Sequence, residues 1–320
     1  MHAGYKPALR IIEMYSLSPG KPCHIPAMTY TLAMYARLLP LLFMLALAAS
    51  PVPVWAEQPN ERESGHYRIM SFNIRTGAAP DGENAWPKRR DHVAAIIADC
   101  EADIIGLQEA HFFQREELLE LLPGFTSHGI GRDRSGLDEL NCILYRSDRF
   151  LALEGGTFWL SEQPGVPGSV SWDSSMARIC TWLRLYDIGS ARAFYVYNTH
   201  FDHRGPDARS MSAALLIDQI NTRRYPDPVV ITGDFNAGES SEPIKLLLEH
   251  YADSFRVLHT IAGEVGTYNG FKNDRSGQKI DYVFIDGNTV VHDAGIIFDT
   301  YGEDLCPSDH YPVWAELSFE

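Results

Sequence analysis

Six short stretches of this chain end or begin in polar side chains that can bind cations or move protons. Asn73 closes Met-Ser-Phe-Asn, Glu109 closes Gly-Leu-Gln-Glu, and His200 closes Tyr-Val-Tyr-Asn-Thr-His. Asp234 and Asn236 follow Val-Val-Ile-Thr-Gly, Asp281 opens Asp-Tyr-Val-Phe, and Asp309-His310 precede Tyr-Pro-Val-Trp. The ends of strands are places where a rigid scaffold can aim several side chains at one point. Each residue alone has an ordinary structural explanation. Asp and Asn flank turns for local hydrogen-bonding reasons, and a lone histidine is more often a satisfied core residue than a catalyst. Taken together they are rich in carboxylate, contain two histidines and include no thiolate. That donor set suits a hard divalent cation, Mg²⁺ or Mn²⁺, rather than Zn²⁺.

Elements of two kinds must position these residues. Alternating or continuous apolar runs predict strands at Tyr67–Ile74, Asp103–Gln108, Asn141–Arg146, Ile179–Tyr186, Ala193–His200, Val229–Thr232, Ile280–Ile285 and Tyr311–Phe319. Helical spacing predicts helices over Pro87–Cys100 and Gln114–Leu122 and near 207–222 and 241–250, with Pro87 suited to a first turn. Many strands, fewer helices and no long linker indicate one α/β domain over residues 66–320.

Upstream of that domain the pattern changes. Arg37 precedes a short apolar stretch, residues 38–49, and Val54-Trp55-Ala56 stands before Glu57. A basic flank, a short apolar core and a small-x-small site describe a secretory signal, here 28–56, while Pro40 and the short run count against a membrane anchor. Residues 1–27 read as an upstream extension and 57–65 as a polar leader to the domain. The protein is therefore expected to be exported, without a stable membrane anchor, and monomeric. Removing 1–56 takes away four basic residues and Glu13, leaving 23 basic and 41 acidic side chains, a net of −18. Such a surface offers no long-range attraction for nucleic acid or an anionic membrane, although a bound metal reverses the field locally. Cys100, Cys142, Cys180 and Cys306 lack metal-ligand spacing and fall in helical or strand-like runs, so buried thiols are expected rather than a disulfide framework. Trp86, Trp159, Trp172 and Trp182 suggest base or sugar stacking, but large aromatics more commonly build cores.

Gly-Leu-Gln-Glu (106–109), Asn-Thr-His-Phe-Asp-His (198–203), Gly-Asp-Phe-Asn (233–236), Ile-Asp-Tyr-Val-Phe (280–284) and Ser-Asp-His-Tyr-Pro-Val (308–313) resemble the ordered motifs of the endonuclease/exonuclease/phosphatase superfamily, the DNase-I-like fold. The resemblance implies a four-layer α/β/β/α sandwich of two packed mixed sheets. It implies that Asn73 and Glu109 hold Mg²⁺ or Mn²⁺, with Asp309 a further ligand. His310 would be the acid/base histidine and Asp281 its orienting partner. Asp234 would position or deprotonate the attacking water, and Asn236 and His200 would contact the phosphoryl oxygens. Gly-Thr-Phe-Trp-Leu-Ser (156–161), Ser-Trp-Asp (171–173), Ala-Arg-Ile-Cys-Thr-Trp (177–182) and Thr-Tyr-Asn-Gly-Phe (267–271) resemble a set of bacterial hydrolases within it. There Arg178 would face the phosphate and Asn269 would contact substrate, and Glu139 and Asn141 match positions near the cleft. The implied substrate is a phosphoester, and the acidic surface favours a small or sugar phosphoester. A secreted nuclease, a sphingomyelinase-like lipid phosphodiesterase using the loop 296–307, and a non-catalytic binding protein are the alternatives. His200 argues against a base-excision role.

Overall fold

The computed structural model describes residues 64–302 and 304–320. The expected upstream extension, the signal segment and residues 57–63 of the leader lie outside the described residues. In chain order the elements are β1 (His66–Asn73), α1 (Trp86–Asp99), β2 (Ile104–Gln108), α2 (Phe112–Leu121), β3 (Phe125–His128), β4 (Ile143–Arg146), β5 (Phe150–Trp159) and β6 (Ile179–Asp187). Then follow β7 (Arg192–His200), α3 (Pro206–Asn221), β8 (Val229–Asp234), α4 (Glu242–Leu248), β9 (Ala252–Asp253), α5 (Ser254–Leu258), β10 (Asp281–Ile285), β11 (Thr289–Ile296) and β12 (Val313–Phe319). The strands form two six-stranded mixed sheets, ordered β11-β12-β1-β2-β4-β3 and β5-β6-β7-β8-β10-β9.

The period-2 alternation of strand side chains sorts the apolar residues into separate interfaces. From β1, Tyr67 and Ile69 enter the core between the sheets, together with Ile104, Val196, Val230, Val283 and Leu317. Met70 and Phe72 point the other way and pack with Val93, Ile96 and Ile97 of α1 and Leu118 of α2. On the far side of the second sheet, Tyr195, Tyr197 and Ile231 pack against Leu216 and Ile220 of α3 and Leu247 of α4. Three apolar interfaces between four layers give the α/β/β/α sandwich.

Strand β5 escapes sequence reading because Phe-Leu-Ala-Leu-Glu-Gly-Gly-Thr-Phe-Trp mixes apolar and glycine positions on a sheet edge. A register shift between Ala152 and Glu154 breaks its alternation. Strands β3 and β11 are likewise edge strands with mixed exposure. The loop 296–307, considered as a membrane-contacting hairpin, instead lies on α1, where Tyr301 stacks on His92 at 3.7 Å. The four cysteines among the described residues are buried, and Cys142, Cys180 and Cys306 are free thiols. Trp86 and Trp159 are core residues, with their indole N–H groups donated to Glu117 Oε2 and Arg132 O. Trp182 packs on Tyr195 and Tyr197.

One polar cluster interrupts the apolar contact between the sheets. Asn198 of β7 donates from Nδ2 to Leu107 O (2.8 Å) and Cys142 O (2.9 Å) of the opposite sheet. Its Oδ1 accepts from Gln108 Nε2 (2.7 Å) and from Thr232 Oγ1 (3.1 Å). The approach is close enough that a Cβ on Gly106 would lie 2.1 Å from Thr232 Oγ1 and 2.6 Å from Asn198 Oδ1. Gly106→Ala is therefore expected to destabilise the protein by about 1–3 kcal/mol, as overpacking does in tight cores. Urea unfolding checks this, and an unchanged midpoint would show that the sheets are free to part.

The turn from β7 to α3 is organised by Asp202, which is buried. Its Oδ1 accepts from Arg204 N (2.9 Å) and Gly205 N (2.7 Å), and its Oδ2 from Ser175 N (3.0 Å) and Ser175 Oγ (2.6 Å). Burial alone would raise this carboxyl, but the donors and Arg178 outweigh it and hold the group well below the ordinary carboxylate range. A depressed folded-state value stabilises the protein above the ordinary carboxylate pKa and ceases to do so as pH falls towards the folded value. The stability difference between the wild type and Asp202→Asn should accordingly shrink from about pH 6 to about pH 2. A difference that stays constant on acidification would refute this account.

Candidate active site

The site sits where β1, β2, β7 and β8 end and β10 begins. His200, Asp234 and Asp281 occupy one register row across three adjacent strands of the second sheet, His200 pairing with Asp234 and Asp234 with Asp281. In the first sheet Asn73 pairs with Gln108, so Glu109 falls just beyond the same rim. Glu109 and Asn236 turn away from their strands with φ of 57° and 48°. Non-glycine residues rarely adopt this left-handed conformation, and such strain concentrates at functional sites.

Asp309 and His310 arrive on the loop before β12. Arg89 of α1, fully buried, donates to Ile74 O, Arg75 O and Pro307 O, fixing that loop to the chain beyond β1. Ser308 Oγ donates to Asn73 O at 2.7 Å, and Asn269 Nδ2 donates to Ser308 O at 3.2 Å. Asn269 Oδ1 accepts from Phe271 N. Both ends of the Asn269 amide are thus engaged and its side chain is buried, so it secures the loop and does not line the cleft. Asn141 is similarly structural, donating to Ile179 O at 2.8 Å.

His310 stands between two carboxylates. Its Nδ1 lies 2.9 Å from Asp281 Oδ2 and its Nε2 lies 3.6 Å from Asp234 Oδ2. Burial opposes a charged ring here, but Asp281, Asp234 and Asp309 outweigh it and hold His310 well above the ordinary histidine range. Asp234 is shifted upward, first by burial and then by the charge of Asp281, which brings its carboxyl to about 7. Its Oδ2 accepts from Asn73 Nδ2 (3.0 Å) and lies 3.4 Å from His200 Nε2. Its Oδ1 accepts from Asn236 N (2.9 Å).

Asn236 Nδ2 donates to Phe201 O (3.0 Å) and His200 Nε2 (2.9 Å). The carbonyl partner fixes which end of the amide is nitrogen, so His200 Nε2 is an acceptor and the ring is neutral. Burial, followed by the charge of Arg178, holds His200 well below the ordinary range. Asn236 thus orients His200, because both of its amide hydrogens are already engaged. Asn73 is placed in the same manner. Its Oδ1 accepts from Arg75 N (3.0 Å), so its Nδ2 faces the carboxylates and bridges Glu109 Oε1 (3.1 Å) and Asp234. The expected metal ligand presents its nitrogen to this corner, not an oxygen.

Glu109 Oε2 accepts from Thr76 N (3.0 Å). Asp309 faces Arg75 at 3.8 Å, while Arg75 is also paired with Asp81. Asp309 is raised by burial and by Glu109, as expected of carboxylates that share a corner. Four carboxylates, at Glu109, Asp234, Asp281 and Asp309, meet two histidines, of which His200 is neutral, and one shared arginine. This excess of oxygen donors and negative charge fits a hard divalent cation held by Glu109 and Asp309. Asp234, Asp281 and His310 also bring ligand-type atoms within 4.8 Å of one another. Both ring nitrogens there address carboxylates, however, and those carboxylates raise the ring's affinity for its proton, so the imidazole is poorly placed to be a metal ligand.

Arg178, 5% exposed, donates from Nη2 to His203 Nδ1 at 3.0 Å and lies 3.6 Å from Asp202. Its Nε is buried and forms no hydrogen bond among the described residues. These residues line a cleft of about 400 Å³, with Arg75, Thr76, Glu109, His200, Asp234, Asn236, Asp309 and His310 on its walls. Arg132, Glu139, Met176 and Tyr268 complete it. Sequence reading did not nominate Arg75, Arg132, His203 or Tyr268. His203 lies inside the motif Asn-Thr-His-Phe-Asp-His, which was a usable signal. Tyr268 likewise lies inside Thr-Tyr-Asn-Gly-Phe, whereas Arg132 sits in a loop whose pattern carries no signal. Tyr268 is half exposed with its ring edge-to-face on His310 at 5.2 Å between centroids, so it is the cleft's aromatic in place of the four tryptophans.

The sequence profile described as the Endonuclease/Exonuclease/phosphatase family matches residues 70–310. A solved family protein from Bacteroides vulgatus is 34% identical with a TM-score of 0.74, covering 80% of this chain and 99% of its own. A mannosyl-6-phosphatase from Bacteroides thetaiotaomicron is 32% identical with a TM-score of 0.73, covering 79% of this chain and all of its own. An uncharacterized protein of Acanthamoeba polyphaga mimivirus is 27% identical over 188 residues, 54% of this chain and 68% of its own. With a profile match across most of its length and a shared fold at this level of identity, the chain belongs to the endonuclease/exonuclease/phosphatase family, whose members hydrolyse phosphoesters.

Proposed function

We propose that the protein is an exported, Mg²⁺- or Mn²⁺-dependent phosphatase that removes the phosphoryl group from a small polyhydroxylated phosphomonoester. The observation that carries this reading is the row Asp281–His310–Asp234 facing Arg178 across a cleft of about 400 Å³. That volume suits a ligand of modest size better than a polymer groove. The net charge of −18 after residue 56 disfavours a polyanion. A relative named as a mannosyl-6-phosphatase adds support for a sugar phosphate.

A divalent ion held by Glu109 and Asp309 would polarise the phosphoryl oxygen and neutralise part of its charge. The chain's own residues divide the remaining work. Asp281 holds His310 protonated, so the imidazole cannot accept a proton. Asp234 Oδ2 is the remaining acceptor for the proton of the attacking water, and its elevated pKa places it near neutrality, where a general base works best. His310 Nε2 then donates a hydrogen bond to the phosphoryl oxygen beside Asp234 as the P–O bond to the alcohol breaks, and the alcohol leaves with a proton drawn from solvent. Arg178, whose side chain lines the cleft, takes the phosphoryl oxygens through its planar fork. Asn236 and Asn73 fix His200 and Asp234 in place.

Asp234→Asn and His310→Ala should each lower kcat by about 10²–10⁴ on a hexose phosphate with little change in unfolding temperature. Chelation should abolish turnover in the wild type, and Mg²⁺ or Mn²⁺ should restore it. A substrate panel including plasmid DNA, RNA, phospholipid and sugar phosphates tests the substrate class. Turnover of polymers but not of monoesters would replace this reading with a nuclease. Retained activity in either variant would remove that residue from the mechanism. Export is part of the same proposal. Expressed in full in a bacterial host, the protein should be recovered outside the cytoplasm with Glu57 as its first residue, as N-terminal sequencing would show. Recovery of uncleaved chain in the cytoplasm would contradict it.

A further inference from the structure

One ion pair on the cleft wall has no part in the chemistry above. Arg132 Nη1 lies 2.9 Å from Glu139 Oε2, and both side chains are mostly buried, at 14% and 16% exposure. The pair is rigidly held. Arg132 N donates to Glu139 O and Gly131 N to Gly136 O, while Trp159 Nε1 donates to Arg132 O at 2.6 Å. Asp138 Oδ2 accepts from Arg132 Nε at 3.2 Å. After these contacts Arg132 Nη2 and Glu139 Oε1 make no hydrogen bonds among the described residues. Burial outweighs Arg132 and raises the Glu139 carboxyl above its ordinary range, the mark of a carboxylate short of donors.

Resting on the phosphatase reading, we infer that the Arg132–Glu139 pair determines specificity by binding adjacent hydroxyls of the leaving alcohol. A carboxylate oxygen open to the cleft on a mostly buried side chain accepts one hydroxyl proton, and a guanidinium N–H fixed beside it donates to the neighbouring oxygen. This arrangement favours a sugar or polyol over an aryl or alkyl alcohol, because an alcohol without hydroxyls leaves both groups desolvated and unpaired. Tyr268, half exposed in the same cleft, offers a flat apolar face to a sugar ring.

The test compares kcat/KM of the wild type and Glu139→Gln on a hexose 6-phosphate, its monodeoxy analogues and phenyl phosphate, with Mg²⁺. The expected result is that the wild type loses about 10- to 100-fold on at least one deoxy analogue. Glu139→Gln should lose a comparable factor on the parent sugar and no longer distinguish that analogue from it. A purely structural role would instead lower all substrates alike, and that outcome overturns the inference while leaving the phosphatase reading intact. A wild type that treats every deoxy analogue like the parent also overturns it, and this arm needs no variant. A wild type active on phenyl phosphate or nucleic acid but inert on all hexose phosphates removes the sugar reading and this inference together.

Discussion

The distance between the two sheets at their active rim is set by Asn198. Its side chain belongs to β7, yet it donates to two backbone carbonyls of the opposite sheet and accepts from Gln108 of β2 and Thr232 of β8. Three residues of the site stand one or two residues beyond this clamp. Glu109 follows Gln108, His200 follows Asn198 by two, and Asp234 follows Thr232 by two. The clamp thus converts strand register into side-chain geometry at the ångström level. Its polar groups lie between sheets that are otherwise apolar, and each is costly unless paired. That penalty disfavours any slip of one sheet over the other and makes the spacing specific.

Above the clamp the site is an exercise in unequal charges. Asp281 and Asp234 flank one imidazole; burial raises the Asp234 carboxyl, and the carboxylates around it raise His310. Hydrogen bonds from Asn73 and Asn236 hold Asp234 without neutralising it, whereas His310 takes its proton from the surrounding field. The two asparagines therefore act as fixed dipoles that set positions, a task for which an amide is better suited than another charge. The overall negative charge of the chain does not conflict with the proposed anionic substrate, because Arg178 and a divalent ion held as proposed would dominate at the distance that matters.

Much of this was legible in the sequence, and the boundary of legibility has physical causes. Residues that terminate buried strands stand out, because a charge after four or five apolar positions needs a reason. Asn73, Glu109, His200 and Asp234 stand out that way, Asp281 and His310 by opening or preceding such strands, and all six converge here. The sandwich followed from strand and helix periodicity together with the family motifs. Edge strands were missed where one face is solvated and the pattern dissolves, as at β5 with its bulge beside Glu154. What an amide does cannot be read from its type. Asn73 and Asn236 each have an oxygen and a nitrogen to offer, and only the neighbouring backbone groups decide which end of Asn73 faces the carboxylates and which end of Asn236 faces His200. Asn269 looked like a substrate contact because of its position in a loop, but it secures that loop. Arg132 and Tyr268 come from irregular segments, where no periodicity announces direction.

The loop carrying His310 leads into β12 of the first sheet, while Asp281, its hydrogen-bonded partner, begins β10 of the second. The relay consequently straddles the seam of the sandwich. Neither half of the molecule contains a working fragment of it, and no subset of strands can retain a weakened form of the chemistry. Catalytic competence is in this sense a property of the assembled interface, as cooperative as the core beneath it.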